Sequence, residues 1–159
     1  MLSALHRRIA YAALALVFVS GVAHFVVHDE FPMPGPFGPT PNPLEPWLLK
    51  LHGAAAMATL IVLGSFVPTH IARFWRSAHN RVPGMMFLIV MSLLVATGYG
   101  LYYFGGDELR RVTRSAHIAL GLAAAPVFAF HVWRGWALRR EERRRAALRR
   151  HPSFHPHRQ

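Results

Sequence analysis

Histidine is the residue type in this chain best suited to chemistry. An imidazole ring binds a metal through one ring nitrogen, or carries a proton near neutral pH. An ionisable side chain is costly in an apolar environment, so a histidine inside a long apolar stretch indicates a function. Six histidines lie in or beside such stretches: His6, His24, His52, His70, His117 and His131.

Two pairs of these histidines have the spacing of a single helix face. His117 and His131 are 14 residues apart, which is a rise of about 21 Å with side chains about 40° apart. His52 and His70 are 18 residues apart, which is five turns and about 27 Å. In neighbouring helices, His52 would lie level with His117, and His70 with His131.

Paired imidazoles at two levels suit haem, whose iron takes one axial nitrogen on each side of a flat ring. The pattern therefore predicts two haem sites, with His52, His117, His70 and His131 as iron ligands. His6 competes with His70 as the partner of His131, because a helix rise of 18 residues leaves His70 about 6 Å too deep. A metal or proton pathway lined by histidines, and a structural hydrogen-bond network, are the alternative interpretations.

The elements that carry the histidines are four stretches nearly free of charge. A helix needs roughly 20 apolar residues to cross a bilayer. The sequence predicts an all-α membrane protein, a bundle of four transmembrane helices at about 9–27, 46–72, 82–104 and 112–136, with a proline-rich outer loop at 31–46. These form one membrane domain over residues 1–137, followed by a basic tail over 138–159.

The positive charge predicts the orientation of the helices. The net charge is +11, and most of the arginines cluster before the first helix, between the second and third, and in the tail: Arg7, Arg8, Arg73, Arg76, Arg81, Arg139, Arg140, Arg143, Arg144, Arg145, Arg149 and Arg150. Arg110, Arg111 and Arg114 are an exception on the opposite side. With four crossings, these clusters share one side, which the positive-inside rule assigns to the cytoplasm. Both termini are thus predicted to be cytoplasmic (N-in, C-in), with an arginine-rich cytoplasmic extension. Membrane orientation accounts for the positive charge, so the charge does not indicate nucleic-acid binding.

The chain contains no cysteine. This excludes c-type haem attachment, cysteine-ligated iron–sulfur clusters, disulfides and thiol catalysis. Any cofactor must be held without covalent bonds by histidine, methionine or oxygen ligands.

Three short motifs resemble the four-helix di-haem cytochromes b, a group that includes bacterial cytochrome b561 and the cytochrome b subunits of formate dehydrogenases and hydrogenases. They are Leu-His-Gly-Ala around His52, His-Ile-Ala-Leu-Gly from His117, and Phe-His-Val-Trp around His131. The resemblance covers about residues 5–137.

In that family the fourth helix gives one ligand to each haem, and the second and first helices give the others. The resemblance thus implies His52 and His117 for an outer haem b, and His131 and His6 for an inner one. This chain departs from the pattern by also offering His70, which we prefer as the fourth ligand because it shares a face with His52. His6 remains the alternative.

The resemblance also implies a function. Family members carry electrons across the membrane between a quinone pool and a redox partner protein or a small reductant. The expected cofactors are two haem b groups, with a quinone as a further candidate. The expected partners are membrane lipids, quinone and a redox partner protein, and the expected location is the bacterial inner membrane. An enzyme of this type would be a quinone-linked oxidoreductase or the cytochrome b subunit of one. A histidine-lined metal or proton transporter is the alternative, although none of the four stretches contains a carboxylate.

Overall fold

A computed structural model describes residues 3–68 and 81–150 of the chain, apart from the side chains of residues 81, 149 and 150. The described residues form four helices: α1 (Ala4–Glu30), α2 (Glu45–Phe66), α3 (Arg81–Tyr103) and α4 (Asp107–Arg150). Each contains a stretch long and apolar enough to cross a membrane. The predicted all-α architecture with four candidate membrane-spanning helices is therefore confirmed within these residues. His70, Arg73, Arg76 and the tail 151–159 lie outside them.

The two helices at the start of the chain form a hairpin whose ends are fixed by local chemistry. The Ser3 hydroxyl caps α1 by accepting a 3.1 Å hydrogen bond from the amide of His6. Pro46 lies in the first turn of α2, where its missing amide donor costs nothing. Small residues line the contact between the helices, and Ala10, Ser20, Ala55 and Thr59 are buried. Such residues let transmembrane helices approach closely.

The segment between α1 and α2 is rich in proline and is held in a compact turn. The backbones of Met33 and Thr40 exchange two hydrogen bonds of 2.9 and 2.8 Å. The side-chain amide of Asn42 donates to the carbonyl of Phe31 at 3.0 Å. We call the end of the bundle that carries this turn and the short α3–α4 connection the loop end, and the opposite end, where α1 and α3 begin, the arginine end.

The second hairpin consists of α3 and α4, and it meets the first mainly through α1 and α4. At the loop end, Arg114 of α4 pairs with Asp29 of α1. Towards the arginine end, the rings of Tyr11 and Phe128 contact each other at 5.7 Å. The four helices therefore form two antiparallel pairs, and α2 and α4 run in the same direction.

The last helix is longer than its apolar stretch. It has 44 residues, or roughly 66 Å at the usual rise, and continues past the predicted end at residue 136. Pro126 lies inside it, as the sequence indicates. Beyond the apolar part, Glu141 and Arg145 pair at 2.8 Å, one turn apart. The first part of the predicted tail is thus a continuous extension of α4.

Candidate paired-histidine site

His52 of α2 and His117 of α4 come together near the loop end. Their ring centroids are 6.3 Å apart and the ring planes are nearly perpendicular, at 86°. Both side chains are half-buried. The two histidines come from different hairpins, so this pair joins the two halves of the bundle.

The ring spacing is close to that of two imidazoles sharing one metal. A metal–imidazole nitrogen bond is about 2.0 Å and the ring centre lies about 1.1 Å further, so rings on opposite sides of a metal have centroids about 6.2 Å apart. Direct contact between aromatic rings also covers this range. The hydrogen bonds of the two rings indicate which ring nitrogens are available to a metal.

The Nδ1 atom of His52 carries its hydrogen. It lies 3.0 Å from the carbonyl oxygen of Val17 and 3.2 Å from the hydroxyl of Ser20, both on α1. A carbonyl oxygen only accepts, so the ring nitrogen must donate. The Ser20 hydroxyl donates to the same carbonyl at 3.1 Å and can therefore accept from the ring. In the neutral ring, the lone pair is then on Nε2.

The ring of His117 is held in the same way by α3. Its Nδ1 atom lies 2.9 Å from the hydroxyl oxygen of Thr97. The Thr97 hydroxyl lies 2.8 Å from the carbonyl oxygen of Leu93 and 3.2 Å from that of Leu94, and when it donates to either it can accept from His117. Two rings that each present a lone pair at Nε2 cannot hydrogen-bond to each other through these atoms, but both can coordinate a metal.

A glycine follows each of the two hydroxyl residues and makes room for the ring. A Cβ atom built on Gly21 would lie 2.9 Å from Cε1 of His52, and one built on Gly98 would lie 3.4 Å from Cε1 of His117. The dipeptides Ser20-Gly21 and Thr97-Gly98 therefore position the two histidines. The sequence reasoning missed them. A hydroxyl residue followed by glycine in each helix that packs beside a histidine helix is the signal that would have found them.

His131 lies about 21 Å further along α4 and packs against the same neighbouring helix. A Cβ atom on Gly84 of α3 would lie 3.6 Å from its Cε1 atom. The ring of Phe87 lies nearly parallel to it, with centroids 6.1 Å apart, and Phe87 in turn contacts Phe128 at 5.2 Å. The Nδ1 atom of His131 is buried. Both α4 histidines thus lie against glycines of α3.

The register of α1 against α2 places His6 near the level of His131. His52 contacts Ser20, Thr59 donates to the carbonyl of Ala13, and the rings of His6 and Phe66 lie 5.9 Å apart. Phe66 follows His52 by 14 residues, as His131 follows His117. Since α2 and α4 run in the same direction, Phe66 and its neighbour His6 lie at the depth of His131.

Two further histidines lie at the loop end of α1. The rings of His24 and His28 are stacked, 6.0 Å apart and 10° from parallel, and Nδ1 of His28 lies 2.8 Å from a carboxylate oxygen of Glu45. In residues 3–68 and 81–150, no group of three or more His, Asp or Glu side chains is arranged to hold a bare metal ion.

No protein-family model matches the chain, and searches of curated proteins and of solved structures found no match.

Proposed function

We propose that this chain is a di-haem b-type cytochrome that carries electrons across a membrane, between a quinone pool and a redox partner protein or small reductant. The observation that carries the proposal is the His52–His117 pair, with a ring spacing of 6.3 Å. Both rings are fixed at Nδ1 by a neighbouring helix, which leaves Nε2 of each available to an iron.

The donor set of the pair supports a haem. The donor set is two neutral imidazoles, and their hydrogen bonds at Nδ1 fix the tautomer and raise the basicity of the ligating nitrogen. His52 and His117 would hold the haem at the loop end, and His131 would hold a second with His6 or His70. A bound haem supplies a one-electron iron couple at each site.

The spacing of the histidines along α4 supports transfer across the membrane. His117 and His131 are separated by about 21 Å of helix, which is most of the roughly 30 Å hydrocarbon layer. The arginines at one end of the bundle support an orientation with both termini in the cytoplasm. In a bacterial inner membrane, the site of His52 and His117 then faces the outside.

The visible spectrum of the purified protein tests the proposal. We expect reduced-minus-oxidised b-haem bands and two haems per chain. His52→Ala and His117→Ala should each remove one haem, and His131→Ala the other. His28→Ala is the matched control, because His28 is exposed and bonded to Glu45, and it should retain both. A colourless protein that binds metal ions would contradict the proposal and support the transporter alternative.

The fourth ligand is identified by a second pair of variants. The register of the described residues supports His6, whereas the shared helix face in the sequence favours His70. Each histidine is replaced by alanine and the haem content is counted. The variant that falls from two haems to one identifies the ligand, and equal loss in both would contradict a single bis-histidine site at this level.

A further inference from the structure

Beyond its apolar stretch, α4 has a basic face that carries arginines. We call the opposite side, which carries glutamates and arginines, the mixed face. At about 100° per residue, Arg139, Arg140 and Arg143 lie within about 60° of the direction of Trp136. Glu141 and Glu142 lie on the other side of the helix by the same geometry. Glu141 lies at least about 100° from all three arginines, whereas Glu142 is about 60° from Arg139, one turn away.

The contacts follow this division. Glu141 pairs with Arg145 at 2.8 Å, on the mixed face. Within residues 3–68 and 81–150, no carboxylate forms an ion pair with Arg139, Arg140 or Arg143. These three arginines and Trp136 instead line a shallow pocket of about 160 Å³.

The position of the pocket along α4 matches the surface of a bilayer. Trp133 and Trp136 are 60% and 54% exposed, and tryptophan is enriched where a helix leaves the hydrocarbon layer. Leu122, on the same side of α4 by helical period, is also exposed. The arginines follow Trp136 by about 5–11 Å of helix rise, which places them in the headgroup layer.

We propose that Trp136, Arg139, Arg140 and Arg143 bind the phosphate of an anionic phospholipid headgroup. A guanidinium group donates two parallel hydrogen bonds to phosphate oxygens, so three on one face suit a phosphodiester. The indole of Trp136 lies where headgroup meets acyl chain. This proposal does not depend on haem binding or on the direction in which the chain is inserted.

Native mass spectrometry of the full chain in neutral detergent tests the site, with phosphatidylglycerol titrated as the ligand. The triple variant Arg139→Gln/Arg140→Gln/Arg143→Gln should bind about a hundredfold more weakly, or roughly fivefold for each arginine. The matched control, Arg134→Gln/Arg145→Gln/Arg149→Gln, removes the same charge from the other side of α4 and should bind as the wild type does. Arg143→Gln alone should show the fivefold loss, even if the triple variant folds poorly.

Competitors identify the source of the phosphate. Phosphatidylcholine and free glycerol phosphate should displace phosphatidylglycerol poorly, because one is neutral overall and the other has no acyl chains beside Trp136. Equal losses in the triple variant and its control would overturn the site. Equal displacement by glycerol phosphate would show a small-phosphate site, and displacement by an acidic peptide would show a protein-docking surface. Either result would overturn the lipid assignment.

Discussion

The hydroxyl oxygen of Thr97 lies 2.9 Å from Nδ1 of His117. When the hydroxyl donates to the carbonyl of Leu93, its oxygen lone pair can accept the Nδ1 hydrogen of the ring. An accepted hydrogen bond at Nδ1 makes the opposite nitrogen a better iron ligand. On the proposed function, Thr97 is therefore a positioning residue that acts through His117.

Replacing Thr97 by valine tests this role. The side chain keeps its shape, but the Nδ1 hydrogen of His117 loses the Thr97 hydroxyl as an acceptor. We expect the affinity for the haem at the loop end to fall about 10- to 100-fold. The midpoint potential of that haem should rise, because a less basic ligand stabilises the oxidised iron less.

Haem titration and redox titration measure the two effects. Thr97→Ser keeps the hydroxyl and should behave as the wild type does, which separates the hydrogen bond from the packing of the side chain. An unchanged potential in Thr97→Val would show that the hydroxyl has no influence on the ligand.

Among single residues, the sequence indicated His52, His117 and His131 as candidate ligands, because a titratable ring in an apolar helix is costly. It did not indicate Ser20 or Thr97. Hydroxyl residues in helices commonly bond to a carbonyl one turn back, as Thr97 does to Leu93. Their residue type therefore says little until the register of the neighbouring helix is known.

At the scale of the elements, apolar length predicted the four helices but not where each one ends. α1 begins at Ala4, before its apolar stretch, and α4 continues to Arg150. Arginine, glutamate and alanine are good helix formers, and the Glu141–Arg145 pair adds support one turn apart. Hydropathy marks the part of a helix in lipid, and the polar ends depend on propensity and pairing.

The close packing of α1 against α2 leads to a second prediction. Gly21→Ala places a methyl group 2.9 Å from Cε1 of His52, so the ring or the helix must move. We expect selective loss of the haem at the loop end, seen as a fall in haem content from two to one. An alanine at Gly105 would meet nothing within 4 Å and should retain both haems. Full haem content in Gly21→Ala would contradict the close approach.

At the scale of the whole molecule, the lack of cysteine makes the orientation directly measurable. Two single variants each introduce the only thiol of the chain at an exposed position. They are Phe37→Cys in the loop and Leu148→Cys in the α4 extension. With a membrane-impermeant maleimide on intact cells, we expect labelling of Phe37→Cys alone. Leu148→Cys should react only after the membrane is opened.

The wild-type chain serves as the blank for this experiment, because it has no thiol to label. Labelling of Leu148→Cys in intact cells, with Phe37→Cys protected, would reverse the orientation that the arginines predict.

The division into two hairpins has a consequence for the biogenesis of the protein. His52, His6 and His70 all precede α3, whereas His117 and His131 both belong to α4. Whichever histidine proves to be the fourth ligand, each pair takes one member from either half of the chain. On the proposed function, a ribosome-bound chain that has released only its first hairpin holds half of each site. Haem retention at the His52–His117 pair therefore begins only once translation has passed residue 117, and a product that ends before α4 stays colourless.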